Sequence, residues 1–507
     1  MAQWKTAATS AAAISIFMTG SAAYADVTAE QVWQDWQDYM AGFGYQMAAD
    51  ESVSGDVLKV DNLVMTLEAP DNQGTITMSL GQFSFTDMGD GTVSMSIPSE
   101  MPLMLSMDPA EGEAVDAKID YNTTGYSVII SGDPDDMTYN YAVAQMEIAL
   151  AELVVDGEKV DLGQIDLAIA DITGSSNIKG GDLRTTKQRL NSGPVTFNLN
   201  VANPEDDNKA NISGNYDSLS FEGSGSFPKD MDTNQMAEML KAGFAFDGTF
   251  NLGKGGADFS FDEAGQVVQG NSLTGGGTFD MALNDGQMKY TGAARDYQIN
   301  ISGGELPFPV EMAMQAAGFN LMIPVSSSDE EQDFAFGLNL GDFEMSDMIW
   351  GIFDPGAQLP RDPATIALDL SGKVKMLIDL MDFDAREAVK RGETVPGELN
   401  ALDLNSLRIN LAGTELTGEG GFTFDNTDTA TFGGMPAPTG GVDLKLVGGN
   451  GLLDKLVAMG LLPEDQAMSA RMMMGVFAVP GQEEDTLTSK IEVTGDGQVK
   501  ANGQRIR

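Results

Sequence analysis

Residues Ala364-Thr365-Ile366-Ala367-Leu368-Asp369-Leu370-Ser371-Gly372-Lys373-Val374-Lys375-Met376 set the reading of the whole chain. Ile366, Leu368 and Leu370 occupy every second position. After Gly372 the alternation resumes through Val374, Met376, Ile378 and Leu380. It returns at Leu402 and Leu404, at Leu407, Ile409 and Leu411, at Phe422 and Phe424, and at Val442, Leu444 and Leu446. A period of two gives a strand one apolar and one wet face, the mark of antiparallel sheet. Gly, Asn and Asp between the runs supply the positive backbone angles of tight turns. The expected fold is mainly β: a long curved antiparallel sheet with a few short helices packed on it or capping it.

Composition narrows the chemistry. The chain has 507 residues and is 42% apolar, enough for a sizeable core and too much for wholesale disorder. Its 76 acids and 28 bases leave a formal charge of −48. Such a surface repels phosphates, so nucleic acid is not an expected partner, and it discourages sheets from pairing edge to edge. Cys and His are both absent. That removes disulfides, the Ser–His–Asp triad, thiol nucleophiles and zinc sites built on His or Cys.

The first residues read as an export leader. Lys5 gives a positive start, Ala7 to Met18 is small and apolar, and Ala23-Tyr24-Ala25 is an A-x-A cleavage signal. The expectation is a periplasmic protein cleaved after Ala25. No later stretch approaches the ~20 continuous apolar residues of a spanning helix, so no membrane anchor is expected after cleavage.

Three sections follow the leader (1–25). Residues 26–203 begin with a helix at Thr28–Ala41, where Thr28 and Gln31 fit a capping box and Trp36 is expected to pack on the sheet. Strand-like runs follow, among them Leu58 and Val60, then Leu63, Met65 and Leu67, and further on 137–143 and 146–155. Residues 204–363 follow a polar break, with a helix around Met236, Met239 and Leu240 capped by Asp232. A second helix is expected at Val310–Ala317 and a third at Met345–Phe353. Helix, Gly and strands thus recur loosely after Met236, Met312 and Met348. Residues 364–507 hold the alternating strands, a helix at Asp384–Arg391, a helical pair from Leu452 to Val476 and a closing hairpin.

No motif carries catalysis. The acidic turns at Asp87–Gly91, Asp133–Asp136 and Asp425–Asp428 lack the ligand spacing of an EF-hand, and turn acids without metal are the simpler reading. Gly275-Gly276-Gly277 lacks the Lys and Ser/Thr of a phosphate loop. No catalytic, cofactor-binding or metal-binding residue is therefore assigned. Two groups stand out for binding. Met65, Met78, Met95, Met281 and Met376 share strand faces with Leu, Ile and Phe, and flexible thioethers suit an apolar face of variable shape. Lys179, Arg184, Lys187 and Arg189 form a local basic patch, either an anion or head-group contact or an answer to nearby carboxylates.

Two end segments carry a resemblance. Val32-Trp33-Gln34-Asp35-Trp36 with Tyr39-Met40-Ala41-Gly42-Phe43-Gly44-Tyr45, and Ala501-Asn502-Gly503-Gln504-Arg505, resemble an exported domain-of-unknown-function family of alphaproteobacteria. The strand series followed by Leu452–Val457 and a final hairpin is similar to AsmA-like envelope proteins. That resemblance implies long curved sheets with apolar inner faces and a link to envelope lipid homeostasis. The expected function is a non-enzymatic periplasmic protein sheltering a lipid or other apolar ligand on its sheet. The alternative is a closed structural or assembly factor with an envelope protein partner.

Overall fold

The structure, a computed structural model, describes residues 26–68, 74–202, 208–229 and 235–507. The leader and Asp232 lie outside the described residues. Helix α1 (Ala29–Gly42) opens with the expected capping box: Gln31 N–H donates to Thr28 Oγ1, and Thr28 N–H donates to Gln31 Oε1.

A single antiparallel ladder follows. Strand β1 (Gln46–Ser54) pairs with β2 (Val57–Glu68), and beyond β2 the ladder divides. One branch runs through β3 (Gly74–Ser79), β6 (Glu100–Pro109) and β7 (Val115–Thr124). The other runs through β4 (Phe83–Asp87), β5 (Val93–Ser96) and β8 (Ser127–Asp133). Both rejoin on β9 (Asp136–Val155), which folds back on itself through β10 (Glu158–Val160) and also pairs with β11 (Gly163–Lys179).

The division then repeats. One branch is β12 (Leu183–Ser192), β15 (Leu219–Pro228), β16 (Ala245–Leu252) and β19 (Gly277–Asn284). The other is β13 (Val195–Ala202), β14 (Lys209–Tyr216), β17 (Gly255–Glu263) and β18 (Gln266–Thr274). Both end on β20 (Gln287–Gly303). From there one meander remains: β21 (Val310–Pro324), β22 (Gln332–Met345), β23 (Ala364–Met376), β24 (Gly397–Leu411), β25 (Thr414–Asp425) and β26 (Ala437–Val447). The far edge is closed by β27 (Val479–Pro480), β28 (Thr486–Val493), β29 (Val499–Ala501) and β30 (Gln504–Arg505). β13 pairs with β14 and β22 pairs with β23.

Helix α2 (Met236–Lys241) and α4 (Phe383–Lys390) lie along one margin of the sheet; α3 (Asp347–Phe353), α5 (Gly449–Ala458) and α6 (Glu464–Phe477) lie along the other. The expected helix at Val310–Ala317 is instead β21. Met, Ala and Gln are good helix formers, but Val310, Met312 and Met314 alternate and pair with Ile301, Ile299 and Tyr297. Tertiary pairing overrides local propensity there, and the loose repeat loses its middle copy.

The longest strands also read differently from their sequence. Leu58 and Val60 precede Leu63, Met65 and Leu67 in one strand, with Asn62 left-handed at φ 52° between them. Asp171, Asp296 and Asp342 do the same in β11, β20 and β22. One such residue shifts the alternation by a position, so side chains on both arms of a bent strand point to the same side. The runs 137–143 and 146–155 likewise belong to one strand, β9.

Dense packing is concentrated at the N-terminal end. Val32 and Trp33 of α1 are buried against Leu58, Val60, Phe85, Met95, Ile130 and Met137. Trp33 is the anchor, with its Nε1–H donating to Glu51 Oε1 at 2.6 Å. Trp36 is only partly buried, its ring 5.8 Å from Phe83 and 5.9 Å from Phe85. Trp33→Ala is therefore expected to cost about 3–5 kcal/mol and Trp36→Ala less, measured by denaturant unfolding. Equal costs would mean that the two rings share the anchoring.

Candidate functional site

Antiparallel partners point to the same side of a sheet, so register traces each face across the molecule. One line runs Leu190, Phe221, Phe250, Phe279, Gly292, Phe319, Leu338, Leu368, Leu407, Gly418 and Leu444. It crosses from β12 to β26 without a polar side chain. The neighbouring line passes through Met281, Tyr290, Leu321, Phe336, Leu370, Leu404, Gly420, Val442 and Ile491. The sheet thus carries one continuous apolar face.

Beyond α1 that face is largely uncovered. Phe250, Phe279, Phe319 and Phe336 are 38%, 37%, 41% and 38% exposed, values that a second packed layer would not leave. Packing is confined to the margins. Met239 of α2, Leu283, Val325 and Met376 are buried at one margin, and Trp350, Leu359 and Ala412 form a small cluster at the other. In that cluster Asp354, fully buried, accepts the N–H groups of Gln358 and Leu359 at 2.8 and 2.9 Å. On α6 the four-residue stripe Met468, Met472 and Val476 is exposed, while Ala467 is buried.

The floor of the face is built from rings laid over glycines. A Cβ on Gly223 would stand 2.6 Å from the Phe221 ring, and one on Gly270 or Gly214 would stand 2.7 Å from Phe259 or Phe197. Gly292 is covered in the same way by Phe319, and Gly372 by Phe334. Phe221 lies over a glycine of its own strand, and each of the other rings fills the space that its cross-strand partner leaves empty, so the floor is low and aromatic. Sequence reading missed this device, although its signal was present as Phe and Gly recurring on alternating strands.

The singled-out methionines all lie on this face but in different settings. Met65 and Met78 are register partners, and with Met95 they belong to the packed end around α1. Met376 is buried at a margin. Met281 stands on the open floor, opposite Gly248 and Tyr290.

The basic residues are split by the sheet. Arg184 lies on the apolar side, holds Asp35 of α1 through two hydrogen bonds of 2.8 and 2.6 Å, and stacks 4.4 Å from the Tyr39 ring centre. Lys179, Lys187 and Arg189 share the polar side. Lys179 pairs with Asp136 at 2.7 Å and Arg189 with Glu222 at 2.6 Å. Within the acidic turns Asp90 accepts from Thr92, Asp425 from Thr427, and Asp428 from Ala430 and Thr431, while Asp87 accepts the Ala29 N–H of α1 and Asp136 accepts from Asn177. Gly275-Gly276-Gly277 forms the turn between β18 and β19, with Gly276 at φ 107°.

No protein-family profile, curated protein or solved structure matches this chain. Among the described residues no helix is long and apolar enough to cross a membrane.

Two predictions follow from this geometry. Gly292→Ala pushes a methyl into the Phe319 ring and is expected to cost about 1–3 kcal/mol in denaturant unfolding; a neutral result would show that the ring swings freely into solvent. The second concerns the margin. Burial pushes the Asp379 carboxyl up, but the Ser327 N–H and hydroxyl, at 2.7 and 2.8 Å, and Lys241 at 3.1 Å hold it below its ordinary 3.8. A depressed carboxyl stabilises fully above its unfolded value and loses that contribution as pH falls through the folded one. Asp379→Asn is thus expected to melt lower than the native protein at neutral pH, with the gap closing on acidification below the ordinary carboxylate range. A gap that stays constant with pH would remove the charge from the explanation.

Proposed function

We propose that this protein is a non-enzymatic binder that shelters an apolar ligand, an acyl chain or lipid, on the open face of its sheet. The observation that carries this reading is the unbroken apolar line from Leu190 to Leu444, with half-exposed rings along it. Leaving such a surface in water is opposed by about 25 cal/mol per Å², so a ligand that covers it gains correspondingly. An uncovered face of this extent argues against the closed structural alternative. The leader at residues 1–25 supports placing the protein in the periplasm, where the AsmA-like resemblance links such sheets to envelope lipids.

The test uses the mature chain from Asp26 and a fluorescent fatty acid. Met281→Asp and Phe336→Asp place a charge on the open floor and are expected to weaken binding at least tenfold with a small change in melting temperature. Met376→Asp, at a packed margin, is expected to lower melting instead, because it buries an unpaired charge. Absence of fatty-acid binding by the native protein would end the acyl-chain reading. Unfolding by the first two substitutions would mean that those positions are core.

A further inference from the structure

The opposite face of the sheet holds a second kind of surface, independent of the apolar floor. Between β13 and β21 the polar side chains line up by register. Asn198, Ser213, Asp258, Asn271, Asn300 and Glu311 form one rank across the strands. Asn200, Asn211, Ser260, Gln269 and Ser302 form the next. All of these but Asn198 and Asn200 line a depression of about 580 Å³, adjoined by two more of about 340 Å³ each; Asn271 borders all three, and Leu273 borders the two smaller ones. Farther along, the same face is charged, with Asp443, Lys445, Lys490 and Glu492 on β26 and β28. Here amides and hydroxyls dominate.

Two features give the depression a ligand chemistry. Among the described residues, the amides of Asn211, Asn271 and Asn300 have no partner within the protein, so donors and acceptors stand free at the ~4.8 Å spacing of adjacent strands. Leu273 points to this polar side, is 48% exposed and leans over Gly256, where a Cβ would stand 2.8 Å from its Cδ2. A free apolar side chain among free amides matches a molecule with an apolar face and a hydroxylated rim, which is the chemistry of a sugar ring. Asp258 and Glu311 accept hydroxyl donors and repel anions, and the −48 charge of the chain acts in the same direction.

We propose that these adjoining depressions bind a neutral oligosaccharide, with Leu273 under the apolar side of a ring and Asn271 and Asn300 bonding its hydroxyls. The experiment titrates the mature protein with neutral chitooligosaccharide and maltooligosaccharide by calorimetry, with oligogalacturonate as the acidic comparison. Saturable binding of at least one neutral sugar is expected. Asn271→Ala, Asn300→Ala and Leu273→Ser are each expected to weaken it about tenfold, at unchanged melting temperature and unchanged fatty-acid binding. No saturable binding of either neutral sugar overturns the proposal. So does binding that survives the substitutions, or an acidic oligosaccharide that binds as tightly as the neutral ones. Because the side chains are solvent-facing and the fatty-acid assay reads the other face, failure here leaves the apolar-face reading standing.

Discussion

A side chain on a β-strand has two directions available, and this protein depends on its strands agreeing about which one is apolar. Agreement is not automatic in strands that bend. Each bend at Asn62, Asp171, Asp296 or Asp342 would send the second arm's Leu, Met and Phe to the wet side if the alternation continued unbroken. The left-handed residue takes up one position and restores the direction. Asn and Asp tolerate that conformation better than other residues with a Cβ, because their short polar side chains bond locally. Asn62, Asp171 and Asp296 therefore keep one face apolar through strands long enough to bridge both branches of the ladder, and Asp342 does the same within the meander.

Much of this was legible because period two survives in a single sequence. The strand class, the capping box at Thr28, the helical pair and the closing hairpin are local patterns. What was lost is non-local. The phase shift at Asn62 looks like the end of one strand and the start of another, so long bent strands read as pairs of short ones. Val310–Ala317 fits both periods, and only pairing with β20 decides between them. Trp33 and Trp36 occupy neighbouring parts of one apolar stripe; the sheet beneath, with Phe85 and Glu51, selects Trp33. Arg184 and Arg189 looked like neighbours in one patch, but strand alternation sends position 184 to the apolar side and 189 to the polar one. The rings over glycine depend on cross-strand register, which no local pattern contains.

An open apolar face raises the question of what prevents chains from stacking. Both edges of the ladder are managed. At the start, β1 carries Asp50 and Glu51 and leaves few apolar side chains to a newcomer. At the end, β27 and β29 pair with the outer side of β28, and β30 closes on β29. Charge of one sign then opposes the approach of a second copy at long range. Helices on the two margins narrow access to the floor.

The two faces place different demands on the same strands. On one side Phe197 and Phe259 lie over Gly opposite them; on the other the same strands present Asn, Ser and Gln. β14, β17 and β18 meet both demands by alternation: Ile212, Phe259 and Gly270 form one rank while Ser213, Asp258 and Asn271 form its neighbour on the reverse. A glycine under a ring costs strand stability, and an unpaired amide adds none. In this part of the sheet the backbone ladder and the margins carry stability, and both sets of side chains are left free to meet other molecules.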